Sequence, residues 1–196
     1  MNLTPTVLEG RHVRLEPLSL AHAEDLARHA FDQELWRHTT SVIRNRGELD
    51  GYIATALEWQ AANTALPFAT IDRASGRAVG STRLANADHA NRRVEIGWTW
   101  LGQPFQRTAL NTEAKLLMLE HAFDRLDCIR VELKTSALNV KSRTAIGRLG
   151  AVEEGTFRHH LILPDGRLRD TVFFSILRGE WPGVRATLEA KLASHA

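Results

Sequence analysis

The stretch whose reading decides the fold is Arg93-Val94-Glu95-Ile96-Gly97-Trp98-Thr99-Trp100-Leu101-Gly102-Gln103-Pro104-Phe105-Gln106-Arg107-Thr108-Ala109-Leu110-Asn111-Thr112-Glu113-Ala114. Its first part alternates. Val94, Ile96, Trp98 and Trp100 are expected on one face of a strand, and Arg93, Glu95, Gly97 and Thr99 on the other. Gly102 to Leu110 reads as a loop. A helix from about Thr112 to Arg125 follows, apolar through Leu116, Leu117, Leu119, Phe123 and Leu126. A strand that ends in a short loop leading straight into a helix presents the helix's first N–H groups without internal partners. With the helix dipole they form an anion site. A pyrophosphate fits there, and Arg107 adds charge-assisted hydrogen bonds.

Downstream, Asp127 to Thr135 reads as a further strand. Asn139 opens a short helix, Val140 to Leu149, closed by Gly150. Two strands, about Gly155 to Leu163 and Leu168 to Leu177, flank the turn Pro164-Asp165-Gly166, and a last helix begins near Trp181. Upstream, His12 to Pro17 reads as a strand. Ser19 caps a helix to about Ala30, and an irregular segment containing Trp36 leads to a second helix, Gly47 to Ala62. Leu66 to Asp72 and Ala78 to about Ala87 are strands joined at Ser75-Gly76. The order is strand, two helices, three strands, helix, strand, helix, two strands. It predicts a mixed α/β (α+β) fold: one mostly antiparallel sheet of about seven strands with helices on both faces. Neither a repeat nor a linker divides residues 1–196, so a single domain is expected.

The bulk composition excludes several classes. Of 196 residues, 43% are hydrophobic and 24% charged, which is globular composition. The net charge is +2 and the arginines are dispersed, so no nucleic-acid stripe is expected. Cys128 is the one cysteine, in an apolar run, and reads as a buried thiol. Glu9, Arg11, Arg14 and Glu16 stand where a signal peptide would be apolar, and no run approaches a membrane span. The expectation is a cytoplasmic protein with no membrane partner. His159-His160 looks like a metal pair, but neighbouring strand residues point to opposite faces, so no metal is expected.

Two segments resemble the GNAT superfamily of acetyltransferases. Gln106-Arg107-Thr108-Ala109-Leu110-Asn111 occupies the place of that family's pyrophosphate loop, Gln/Arg-x-x-Gly-x-Gly/Ala. Ala109 and Asn111 stand where the family has glycine. Asn tolerates left-handed backbone and could keep the turn. Asn139-Val140-Lys141-Ser142 before Arg148-Leu149-Gly150-Ala151 is similar to the family's second motif, although Asn139 could equally be only a helix cap. Leu8 to Leu15 and Asp165 to Asp170 look like the Rim-type branch, which acetylates ribosomal-protein N-termini.

The resemblance implies acetyl-CoA as acyl donor and an amine acceptor, with a homodimer compatible. It implies a donor site at Trp98, Thr99, Trp100, Leu101, Gln106, Arg107, Thr108, Ala109, Leu110, Asn111, Thr112, Asn139 and Ser142. A glutamate on the fourth strand is often the base in this family, which points to Glu95; the alternative is a structural pair with Arg93, Arg130 or another arginine. The family's Tyr acid falls at Ile146 here, and Tyr52 is distant in sequence, so Ser142 is the substitute candidate. Trp36, His38 and the Pro164–Arg167 turn are candidates for the acceptor pocket. A non-catalytic acyl-CoA sensor is the alternative function.

Overall fold

The computed structural model describes residues 1–194. Its strands are β1 (Leu8–Glu9), β2 (Val13–Pro17), β3 (Leu66–Asp72), β4 (Arg77–Asp88), β5 (Arg93–Leu101), β6 (Arg130–Ser136), β7 (Val152–Ile162) and β8 (Leu168–Leu177). Its α-helices are α1 (Ala23–Ala30), α2 (Arg46–Ala61), α3 (Ala109–Glu120), α4 (Val140–Arg148) and α5 (Trp181–Ala193). One eight-stranded sheet runs β1-β2-β3-β4-β5-β6-β8-β7, antiparallel except for β5 and β6. The mixed architecture read from the sequence holds. The additional strand is the two-residue β1, too short to leave a pattern.

Two apolar clusters sandwich the sheet. On one face Val13, Leu15, Leu84, Val94 and Ile96 meet α3, α4 and α5 through Leu110, Met118, Ile146 and Leu188. On the other, Ala69, Ile71 and Trp100 meet α1 and α2 through Leu26, Leu49 and Ile53. These are the inward stripes of amphipathic helices set on alternate strand residues.

The helix after β5 begins at Ala109, three residues before the position the apolar pattern indicates. Asn111 therefore lies inside its first turn and makes no loop turn. The left-handed residue is Arg107, with φ 63°. At its far end α3 widens: the Leu126 N–H donates to His121 O at 2.9 Å, an i→i+5 bond.

A carboxylate ties the N-terminal strands to α3. Glu113, 6% exposed, accepts the N–H groups of Arg11, His12 and Val13 at 2.7, 2.6 and 2.7 Å. A Cβ at Gly10 would stand 2.4 Å from the Glu113 carboxyl carbon, so only glycine permits this approach.

Candidate active site

The site begins where pairing stops. β5 and β6 are joined only at Arg93–Arg130, Val94–Val131 and Glu95–Glu132. Beyond Glu95 they are no longer paired, so β5 from Ile96 and β6 from Leu133 face each other with free edges. Parallel strands joined by a helical crossover cannot be held by a tight turn, so the pair can open at one end. A free pair of edges in the middle of a sheet is a ready place for an extended ligand to add its own hydrogen bonds.

β5 is also bulged. Its partners jump from Trp100–Ser81 to Gly97–Arg83, and Trp98 has φ 50°. This corrects the strict alternation expected of the strand. Val94 and Ile96 point to α3, but Trp98 and Trp100 point to the α1/α2 face. The Trp98 ring stands edge-on to Trp59 at 5.0 Å. Its carbonyl accepts the Tyr52 hydroxyl at 3.2 Å. Thr99 turns to the α3 face instead, where its Oγ1 bonds Thr82 at 2.7 Å. Trp100 and Leu101 are core residues on opposite faces.

Both motifs flank the gap. The Thr108 hydroxyl caps α3 by accepting the Leu110 N–H at 3.3 Å. Ala109 and Leu110 are buried, Asn111 and Thr112 half-buried, and Arg107 is exposed beside the helix start. The Gln106 amide donates to Leu101 O at 2.8 Å, which pins the loop to the strand. Its oxygen contacts Lys141 Nζ directly, so the loop meets α4 across the gap. Asn139 does cap α4, accepting the Ser142 N–H at 3.0 Å. Ser142 is half-buried, and no hydrogen bond of its hydroxyl is found among the described residues. Ile146 is 8% exposed and belongs to the core, so it offers the site no acid.

Glu95 lies at the closed end, 7% exposed. Its Oε2 accepts from Asn86 at 2.7 Å and from Lys134 Nζ at 2.9 Å. The structural pairing expected with arginine goes to Lys134 instead, because Arg93 and Arg130 both bind Glu132, at 3.2 and 3.0 Å. Asn86 and Lys134 also line an open trough with Phe157 and Phe173.

Trp36 does not line an open pocket. It is 5% exposed, donates its indole N–H to Ala30 O at 2.7 Å and packs on Trp100. His38 does meet the last hairpin. Arg169 donates to His38 O at 3.4 Å, and Arg167 donates to Arg37 O at 2.9 Å. Burial, with Arg37 and Arg167 nearby, lowers the His38 pKa from the ordinary histidine value. His159 and His160 are spent in a bulge: the His159 N–H donates to Asp170 at 2.7 Å, and the His160 ring stands on Phe157 and Phe173.

Three residues to which the sequence assigned no role belong to this region. Tyr52 is brought to the bulge by α2. The Arg83 guanidinium, 1% exposed, lies 4.4 Å over the Tyr52 ring, with Trp59 and Trp98 also around it. Lys115, 4% exposed, donates to Thr99 and Thr82 at 2.7 and 3.1 Å, and burial pushes its amine down to about 7. A charged residue on an apolar helix face carries a sequence signal only as a break in the stripe, and nothing in the sequence marks Lys115 as buried.

Comparison with known proteins identifies the family and the fold. Residues 12–152 match the family model described as acetyltransferase (GNAT) domain. YdaF of Bacillus subtilis, assigned as a ribosomal N-acetyltransferase, is 35% identical over 108 residues. That match spans 55% of this chain and 58% of that relative, little more than half of its length. A GCN5-related N-acetyltransferase from Brucella melitensis superposes with a TM-score of 0.88 at 34% identity, over 95% of this chain and 85% of its own. RimJ of Mycobacterium smegmatis, solved with CoA-disulfide, shares the fold, with a TM-score of 0.84 at 22% identity over 97% and 96% of the two chains.

Proposed function

Because the chain belongs to the GNAT acetyltransferase family, we propose that it moves an acetyl group from acetyl-CoA to a primary amine, of a small molecule or a protein N-terminus, by direct attack in a ternary complex. The observation that carries this reading is the gap between β5 and β6, open from Ile96 onward and flanked by both motif segments. Acetyl-CoA supplies an activated acyl carbon in its thioester.

The chain's own residues then divide the work. The first N–H groups of α3 and the Arg107 guanidinium hold the pyrophosphate. The free edge of β5 at Trp98 to Leu101 and the side chain of Asn139 hold the pantetheine arm. An amine is protonated near neutral pH and attacks only as the free base. Glu95 takes that proton, directly or through water. A backbone N–H near Trp98 to Trp100 stabilises the oxyanion of the tetrahedral intermediate. As the intermediate collapses the nitrogen gives up its second proton, and the Ser142 hydroxyl relays it, protonating the departing thiolate and taking the nitrogen's proton in return. The name of the Bacillus subtilis relative supports a ribosomal-protein N-terminus as one acceptor to try.

Release of free thiol from acetyl-CoA is followed with a panel of amines and N-terminal peptides. Turnover that depends on an amine is expected. Glu95→Gln lowers kcat by about a hundredfold or more while CoA affinity holds. Tight acetyl-CoA binding with no turnover on any amine rejects the proposal. Unchanged kcat across pH in Glu95→Gln removes Glu95 as the base.

A further inference from the structure

On β8, Arg169, Thr171 and Phe173 share the face that also carries Lys134. Arg169 is half-buried. Its Nε is buried without a partner, and its Nη1 has only the 3.4 Å bond to His38 O. Among the described residues no carboxylate lies within ion-pair distance of it. The Thr171 hydroxyl, on a residue 1% exposed, and His38 Nδ1 are also buried without partners. Burial lowers the Arg169 pKa, and only the charge of Glu95 opposes that.

The large majority of buried side-chain polar atoms in folded proteins are hydrogen-bonded. Arg169 Nε, Thr171 Oγ1 and His38 Nδ1, where the last hairpin meets the segment after α1, therefore call for a polar partner, and a ligand's polar group can supply it. The neighbouring arginines already have counter-ions: Arg167 binds Asp165 at 2.6 Å, and Arg37 lies 3.7 Å from Glu34. Glu95 is committed to Lys134 and Asn86. What is missing is one compact anion. A guanidinium, a hydroxyl and a neutral imidazole suit a carboxylate, which is planar and carries a single charge. A phosphate dianion calls for more cationic charge than one free arginine offers.

We propose that Arg169, with Thr171 and His38, receives a carboxylate carried by the acceptor, so that the amine presented to Glu95 is that of an amino-acid-like molecule. The inference rests on the acetyl-transfer reading and narrows its substrate. The carboxylate belongs either to a free α-amino acid or to an acidic first residue of a peptide.

The test is a calorimetric titration of acceptor-side products onto the CoA-loaded protein. N-acetylglycine is compared with N-acetylglycinamide, and an N-acetylated peptide beginning with aspartate with one beginning with asparagine. In at least one pair the acid is expected to bind about tenfold or more tighter than its amide. Arg169→Gln and Arg169→Ala should bring that ratio close to one and leave the CoA affinity unchanged. Arg169→Lys should retain part of it. The pair that shows the preference says which carboxylate is read. No preference in either pair overturns the proposal, as does a preference that survives both Arg169→Gln and Arg169→Ala. If CoA itself does not bind, the acetyl-transfer reading falls, and the same titrations on the free protein still decide the role of Arg169.

Discussion

At the scale of single residues, two buried charges make opposite contributions. Glu113 accepts three main-chain N–H groups. Glu113→Ala leaves those donors buried and unpaired, so a loss of about 3–5 kcal/mol in urea unfolding is expected. Among the described residues Lys115 has no carboxylate partner; its hydrogen bonds go to two threonines. With its pKa lowered to about 7 in the folded state, from 10.5, the unfolded chain binds the extra proton between those values. Stability therefore rises with pH across that window, and the cost of burying the amine is full below it. Lys115→Met should be more stable than the parent at pH 6, and thermal melts should show the gap narrowing as pH is raised toward 10. A gap independent of pH would mean that the amine is not buried. Arg107 is exposed at the helix start, and its value lies in charge. Arg107→Ala should weaken CoA more than acetyl-pantetheine, which has no pyrophosphate; equal weakening shows that Arg107 reads something else.

At the scale of elements, caps and ligand contacts overlap on the same residues. The Asn139 side chain starts α4, and the resemblance also assigns it to the pantetheine arm. Asp caps a helix about as well as Asn but offers no amide donor. Asn139→Asp should keep the melting temperature within a degree or two while CoA affinity falls. Asn139→Ala should lose about 1 kcal/mol of stability as well. The alternation of β5 was legible as a strand, with the boundaries the pattern indicated. Its bulge was not, because one extra residue in a ladder is set by the partner strand. Nothing between Gly97 and Thr99 announces that Trp98 will take φ 50° and cross to the other face. Similarly, no local pattern shows that α3 starts early. Thr108, rather than Asn111, is the residue that the folded loop leaves free to cap.

At the scale of the whole molecule, the gap lies between elements whose apolar faces are buried elsewhere. Two core clusters lie on opposite faces of the sheet, and the gap between β5 and β6 interrupts neither. CoA should thus bind a folded protein and stabilise it by mass action, by about 2.7 kcal/mol at a hundred times its Kd. A melting temperature that does not move with CoA concentration would mean that the folded protein does not bind CoA. The open trough beside Glu95 draws its lining from Asn86 to Phe173, while the loop around His38 lies far upstream. Arg167 and Arg169 of the last hairpin hold that loop through the carbonyls of Arg37 and His38.

The sequence by itself determined the order and type of nearly every element, the mixed sheet, and the two segments that flank the gap. Those properties follow from local periodicity, caps and turn residues, which act over a few positions. The tertiary structure alone decided which polar groups are paired. Lys134 rather than an arginine took Glu95, and Tyr52 reached the Trp98 carbonyl from a distant helix. Among the described residues Arg169 was left without a counter-ion. Charge pairing depends on which strands lie side by side and on what covers them, and that is settled only when the whole chain has packed.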